Sequence, residues 1–482
     1  MTLTRLRRIC KENLPWVIIG IGIILRLRQY FFDRSLWLDE ALLARNILKQ
    51  SFVGLLQPLQ YGQNAPIGFL LLSKLATLVG GQSSMALRFF PLVFGIIALF
   101  LFYSVAKRFL RTPGVLIALT FFTLSTPIIY YSTEFKQYMG DVFATLLLWY
   151  IFLVVRPKNK LWLIITGAVV IWFSHASMFI LAALGAADTS LWLPVVPFWL
   201  MSFGINYVLA LRFYLTPAFV GSLQLLFLAF PWQIKGGWNL FFLYLGRMLG
   251  FFVDVDMPWA QVAILLLGYV SIEMQKIRML VVLFLPIILV LIASGFEKYP
   301  FVPRLLLFLA PSLYIAIGAG TDMIISWGRR LGGRIGAVLS AAILVPLVFW
   351  GTIPTAWHDF TTPIKVEEMQ QVLSYLHTHY QPGDVIYVYY AAEAPFRFYA
   401  PQFGLDNVPY IVGISSRNNV LKYVDDLSQL KGNTRVWVVI SHVYKYGMIG
   451  EDRFIAGYMD RIGKRLDYYP QVGASLYLYD LR

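Results

Sequence analysis

The chain has 482 residues, 59% of them hydrophobic and only 13% charged, with a net charge of +15 at pH 7. Soluble globular chains carry about 25% charged residues, so this composition excludes a water-soluble globular protein and points to an integral membrane protein with many crossings. The positive balance, with no nucleic-acid motif beside it, fits positive-inside topology and anionic headgroups rather than nucleic acid, and the single cysteine, Cys10, excludes an intrachain disulfide.

Arg5, Arg7, Arg8 and Lys11 precede the first apolar run, 14–32. The pattern is superficially that of a signal peptide. No small-residue cleavage site follows, and Arg26 and Arg28 interrupt its end, so a retained first helix is expected. Further apolar runs fall at 86–106, 114–130, 138–155, 161–174, 176–187, 191–213, 257–272, 279–294, 305–320 and 335–350. Together they predict about eleven transmembrane helices, several of them, including the fifth, sixth and eighth, shorter than the ~20 residues of a full crossing. Basic clusters at Arg5/Arg7/Arg8/Lys11, Lys107/Arg108/Arg111, Arg156/Lys158/Lys160, Lys276/Arg278 and Arg329/Arg330/Arg334 mark the cytoplasmic ends. Their alternation puts the N-terminus in the cytoplasm, and an odd number of spans puts the C-terminus outside. The parity depends on 161–187. This stretch reads as two short helices meeting at Ser174–His175, or as one long helix that would put Lys160 and Asp188 on opposite sides.

The long first outer loop covers 33–85. Within it, 39–49 has helical apolar spacing (Leu42, Leu43, Ile47, Leu48) suited to the membrane interface, and 65–78 is a second apolar stretch too short to cross comfortably. A second outer loop runs from about Thr216 to Asp256, with Trp232, Trp238 and Trp259 as interfacial aromatics. After Trp350 acidic residues become common and apolar runs shorten. An amphipathic helix over 367–380 and strands over 383–390, 435–441 and 475–479 predict a small extracytoplasmic α/β domain, 351–482, following a transmembrane domain, 1–350. No G-x-x-x-x-G-K-[ST] phosphate loop is present, which argues against an ATP-driven machine.

The chemistry-bearing residues sit at the outer ends. Trp37-Leu38-Asp39-Glu40 follows the first span. An N-cap and acidic first turn would explain the carboxylates alone. Their place at the water–lipid boundary also suits a base, because a carboxylate held near lipid can have a raised pKa. Glu134, Lys136 and Tyr138 cluster where the third span ends, and read as an interfacial charge pair or as a contact to a phosphate headgroup. Arg304 opens a late apolar helix; snorkelling explains it, and so does an anion gripped in bidentate fashion. Arg26 is expected to face a cavity. His175 has no His or Cys neighbour to make a zinc site.

At these residues the chain resembles the GT-C superfamily of membrane glycosyltransferases, nearest to the protein O-mannosyltransferases and the lipid A aminoarabinose transferases. Four motifs carry the resemblance over about residues 14–350: WLDE, QNAPIGFLLLSKL at 63–75, YSTEFKQY at 131–138 and RLLLFLAPSLYIAIGAG at 304–320. The resemblance implies a sugar moved from a polyprenyl-phosphate donor to a hydroxyl of a lipid, glycan or protein, with inversion, at the outer face of the plasma membrane. It maps the base onto Asp39, with Glu40 sharing that role or orienting the acceptor. It places Arg304 and Lys136 at the donor phosphate, with Glu134, Tyr138, Asn64, His175 and Arg26 as further substrate contacts. No cofactor is required by the motifs, though a divalent cation is compatible with them. The family's His-Pro pair is replaced here by Ala65-Pro66 preceded by Asn64, and the aromatic after its late arginine by Leu305. A transporter or flippase, or a ligase or polymerase of lipid-linked glycans, is the competing class. Transporters tend to carry charge near the midplane and to show internal repeats, and neither is seen here.

Overall fold

The computed structural model describes residues 3–213, 226–256, 259–273, 277–416, 419–444 and 450–482. The side chains of Cys10 and the N-terminal basic cluster, together with Thr216, Met257 and Lys276, lie outside the described residues. Two compact units emerge. One comprises Met1–Phe32 with Ser51–Pro363, the other Asp33–Gln50 with Ile364–Arg482.

The first unit is helical. Among the described residues five helices are long and apolar enough to cross a membrane: Asn13–Phe32, Ser84–Phe109, Tyr138–Val155, Ile277–Gly295 and Pro303–Phe349. Seven shorter apolar helices accompany them. The run expected at 305–320 starts in the 3-10 helix Pro303–Leu309 and continues, with nearly all of that expected at 335–350, in the helical stretch Ala310–Phe349, which is broken at Gly332 and Gly333. Gly333 has φ 60°, which a residue with a Cβ rarely adopts, and beyond it the Gly328 and Gly336 backbones come into contact, so the chain doubles back there. Small residues also let neighbouring helices approach: Gly268 lies against the Ala316 carbonyl and Gly320 against the Ile264 carbonyl. Lipid offers no hydrophobic drive between helices, so such close backbone packing takes its place.

The stretch 161–187 is a hairpin. Helices Leu161–Val170 and Ser177–Ala187 meet around Ser174, and Lys160 Nζ donates to the Ser190 carbonyl at 2.7 Å. Lys160 and Asp188 therefore share a face. Arg278 joins them through Asp188 at 2.7 Å, and Arg108 donates to the Val154 carbonyl at 3.1 Å. The Arg111 amide donates to Asp322 at 2.8 Å. The basic ends of five helices thus gather on one face. By helix direction the opposite face carries Thr126, which donates to Asp359 at 2.7 Å, and Lys136.

The second unit is α/β. Strands β1 (Val385–Val388), β2 (Tyr410–Val412), β3 (Val436–Ser441), β4 (Lys464–Gln471) and β5 (Ala474–Asp480) form one sheet in the order β2-β1-β3-β5-β4. β1 pairs in parallel with β2 and β3, whereas β5 runs antiparallel to β3 and β4. β3 is central and buried throughout, as its VWVVIS run requires. The helix Leu38–Lys49 from the first outer loop belongs to this unit. It packs on the helix Glu393–Tyr399, with Arg45 paired to Glu393 at 3.0 Å. Of the stripe expected at the membrane interface, Leu43 and Ile47 are fully buried against protein, whereas Leu42 and Leu48 are half-buried.

Candidate active site

The WLDE motif opens the helix Leu38–Lys49, with Trp37 in extended conformation as its N-cap. Glu40 is fully buried. Its carboxylate accepts from the Arg34 guanidinium at 2.8 Å and from the Trp37 amide at 3.4 Å. Three further hydrogen bonds fix the approach to the helix. The Leu36 amide donates to the Tyr399 hydroxyl at 2.8 Å, and the Leu38 amide to Glu367 at 3.1 Å. The Gln370 amide donates to the Ser35 hydroxyl at 2.9 Å. The other Glu367 oxygen lies 2.6 Å from His442 Nδ1, and the His442 ring stacks on Trp37 with centroids 6.0 Å apart. Asp39 is half-buried in the first helical turn, where the free amides favour a negative charge. The arrangement gives Glu40 a structural task and presents Asp39 from a braced helix start.

In the first unit, Ser125 and Pro127 end one helix and start the next, Thr126–Tyr131. Residues 132–137 then turn into the helix Tyr138–Trp149. Glu134, Lys136 and Tyr138 are all buried in that turn or just after it. The Lys136 amide donates to the Glu134 carbonyl at 2.7 Å, and its ammonium donates to Gln63 Oε1 at 2.7 Å. The motifs at 63–75 and 131–138 therefore meet through Gln63. The neighbouring Asn64 has a buried Oδ1 with no hydrogen-bond partner among the described residues. Tyr138 sits edge-on to Tyr131 with centroids 5.3 Å apart. The Gly68 amide donates to the Trp172 carbonyl at 2.8 Å, tying the helix Ile67–Gly80 to the apex of the 161–187 hairpin. His175 is half-buried at that apex, and its Nε2 finds no partner among the described residues.

Arg304 is half-buried in the 3-10 helix Pro303–Leu309, which packs on Tyr138–Trp149, the helix that follows Lys136. The Tyr299 hydroxyl donates to the Leu305 carbonyl at 2.9 Å and holds the segment's start. Beside it lies a cavity of about 280 Å³, lined by Leu228, Tyr244, Met248, Phe301 and Pro303, with Arg247 at its wall. Arg247 was not singled out from sequence; a lone cation in the apolar run LYLGRMLGFF was the available signal. Arg26 is fully buried and donates to the carbonyls of Gly22 at 2.9 Å and Phe122 at 3.1 Å. It clamps the C-terminal turn of the helix Thr112–Leu124, where a cation complements the exposed carbonyls, so the guanidinium expected to face a cavity as a substrate contact is instead held by the backbone. Among the described residues no three His, Cys, Asp or Glu side chains gather as ligands for a divalent cation.

Residues 64–180 match the dolichyl-phosphate-mannose-protein mannosyltransferase family. A search of curated proteins finds no match. Among solved structures, ArnT from Cupriavidus metallidurans bound to undecaprenyl phosphate aligns with a TM-score of 0.57 at 12% identity, covering 96% of this chain and 97% of that one. The apo state of the same protein gives 0.55 at 12% identity, with the same coverage. The oligosaccharyltransferase of Archaeoglobus fulgidus, tethered to an acceptor peptide, aligns with a TM-score of 0.51 at 12% identity, covering 98% of this chain and 74% of that one. In fold along the chain the protein is thus similar to ArnT and to the oligosaccharyltransferase, and in sequence over 64–180, which holds the motif at 131–138 and nearly all of that at 63–75, it is similar to the dolichyl-phosphate-mannose-protein mannosyltransferases, so the resemblance to the GT-C glycosyltransferases is borne out.

Proposed function

We propose that the chain is an inverting hexosyl- or pentosyltransferase that moves a sugar from a polyprenyl-phosphate donor to a hydroxyl acceptor at the outer face of the plasma membrane. The acceptor oxygen attacks the anomeric carbon while Asp39 takes its proton. The bond from that carbon to the phosphate oxygen breaks, and polyprenyl phosphate leaves with the electron pair. The leaving group is already a phosphate, so it needs charge stabilisation more than protonation; Arg304 and Lys136 supply it. Glu134, Tyr138, Asn64 and His175 are substrate contacts in this reading, and the cavity beside Arg247 takes the apolar part of the donor. Glu40 holds the loop through Arg34.

The observation that carries the reading is the family match over 64–180, in a chain whose Lys136 is seated against Gln63 just before that segment. The gathering of basic helix ends on one face supports an orientation with those ends in the cytoplasm and the C-terminal unit outside. Mass spectrometry of lipid-linked sugars and envelope glycans in a deletion strain tests the function. The expected result is an accumulated polyprenyl-phosphate sugar and an acceptor lacking one residue. Unchanged lipid-linked sugars and glycans would refute it.

A further inference from the structure

The basic face of the first unit contains a second cavity, of about 360 Å³, that the transfer reaction does not use. Arg156, Lys160 and Arg278 line it, against one carboxylate, Asp188. Phe152, Leu163 and Met279 supply apolar wall. The cations come from three different places in the chain. Arg156 ends the π-helix Tyr150–Val155 in left-handed conformation, with φ 47°. Lys160 precedes the hairpin, and Arg278 lies in the first turn of Ile277–Gly295.

Their protein partners leave capacity for an anion. Asp188 engages Arg278 at 2.7 Å, and Lys160 meets only the oxygens of Ser190, the carbonyl at 2.7 Å. Arg156 donates through Nε to the Leu153 carbonyl at 2.8 Å, and its two terminal nitrogens have no protein partner among the described residues. Burial works against charge on Asp188, but the Ser190 bonds and the Arg278 and Lys160 charges outweigh it and hold the carboxyl below its usual range. The lining is therefore net positive by two charges. Around it the apolar surface is exposed: Trp162 is 61% exposed, Trp192 61% and Leu193 89%. A cluster of cations bordered by exposed tryptophans and leucines marks the boundary between headgroup and acyl chain.

We propose that this cavity is a binding site for the headgroup of an anionic phospholipid. The phosphodiester lies against Arg156 and Lys160, and the acyl chains run along the apolar surface beside Trp162 and Trp192. Basic pockets between membrane helices bind acidic headgroups in this way. The site is independent of the transferase reading, because none of its residues belongs to the proposed donor or acceptor contacts.

The test is native mass spectrometry of the purified full-length protein, delipidated in detergent and titrated with phosphatidylglycerol or phosphatidylcholine. One phosphatidylglycerol should bind with about tenfold or greater preference over phosphatidylcholine. The Arg156→Gln/Lys160→Gln variant should lose that preference, whereas Lys158→Gln should keep it. Equal retention of the two lipids by the wild type, or an undiminished preference in the double variant, would overturn the proposal. A parallel titration with inorganic phosphate separates the sources. Phosphate at millimolar concentration should leave the bound lipid in place; complete displacement would show a free-anion site and overturn the lipid assignment. Should the double variant fail to fold, thermal unfolding of the wild type decides. Stabilisation by phosphatidylglycerol alone supports the site, and equal stabilisation by both lipids refutes it.

Discussion

The Arg34 guanidinium and the Glu40 carboxylate meet at 2.8 Å with almost no solvent contact, so one of the two adjacent acids in WLDE is committed to holding the loop. Removing one partner of a buried pair leaves the other charge uncompensated, at a cost of about 3–5 kcal/mol. Glu40→Ala should therefore lower the thermal stability of the purified protein strongly, while Asp39→Asn should leave it close to wild type. Equal melting temperatures for Glu40→Ala and wild type would show that the pair does not brace the motif.

Arg304 and Lys136 should be separable in donor binding. A guanidinium can grip two phosphate oxygens at once, and an ammonium acts as a point charge. Titrating a polyprenyl phosphate into the two alanine variants should show the larger loss of affinity for Arg304→Ala, by about tenfold relative to Lys136→Ala. Donor affinity unchanged by Arg304→Ala would remove it from the phosphate site.

Orientation in the membrane can be read by labelling. In a Cys10→Ser background, cysteines at the exposed positions Gln60 and Asp425 should react with an impermeant thiol reagent applied to intact cells, and one at Lys158 should not. Protection at 425 with reaction at 60 would place the C-terminal unit in the cytoplasm. Protection at 60 would refute chemistry at the outer face.

Asp254 makes stability depend on pH. Burial pushes its carboxyl up to about 7 from 3.8; the Thr126 amide, 3.3 Å away, opposes this, and Asp359 adds to it. Between these two values the folded protein holds a proton that the unfolded chain has released, so stability falls as pH rises through the window. Above it, the charged, largely desolvated carboxylate destabilises the fold in full. Asp254→Asn keeps a residue tolerant of the left-handed conformation at φ 56° and removes the charge. The variant should melt about 2–4 °C above wild type at pH 8 and match it near pH 4. A difference independent of pH would exclude Asp254 as the titrating group.

The membrane-spanning character and the four motifs were legible because each is local. Apolar runs and a WLDE pair announce themselves within a few residues. The support of WLDE was not legible, because Glu367, Glu393 and Tyr399 lie more than 300 residues along the chain from the loop they hold. At 161–187 the apolar run alone fits one helix or two, and the contact of Lys160 with Ser190 marks it as a hairpin. Strands β1, β3 and β5 appear where apolar runs predict them. β2 has only three residues, and β4, KRLDYYPQ, is a charged edge strand carrying Pro470, so neither shows an alternating pattern. Gln63 carries no signal of its own in the sequence, because only the folded turn brings Lys136 to it from 73 residues away.

The most direct test of the central claim uses lipid-linked sugar extracted from the deletion strain, incubated with envelope acceptor from the same strain and purified protein. Liquid chromatography with mass spectrometry then follows release of polyprenyl phosphate and gain of one sugar by the acceptor. The account predicts transfer by the wild type and loss of at least about 10²-fold in rate for Asp39→Asn, the scale of a removed general base, with donor binding retained. Transfer by Asp39→Asn at the wild-type rate would contradict Asp39 as the base. Absence of transfer by the folded wild type from this donor would contradict the transferase itself.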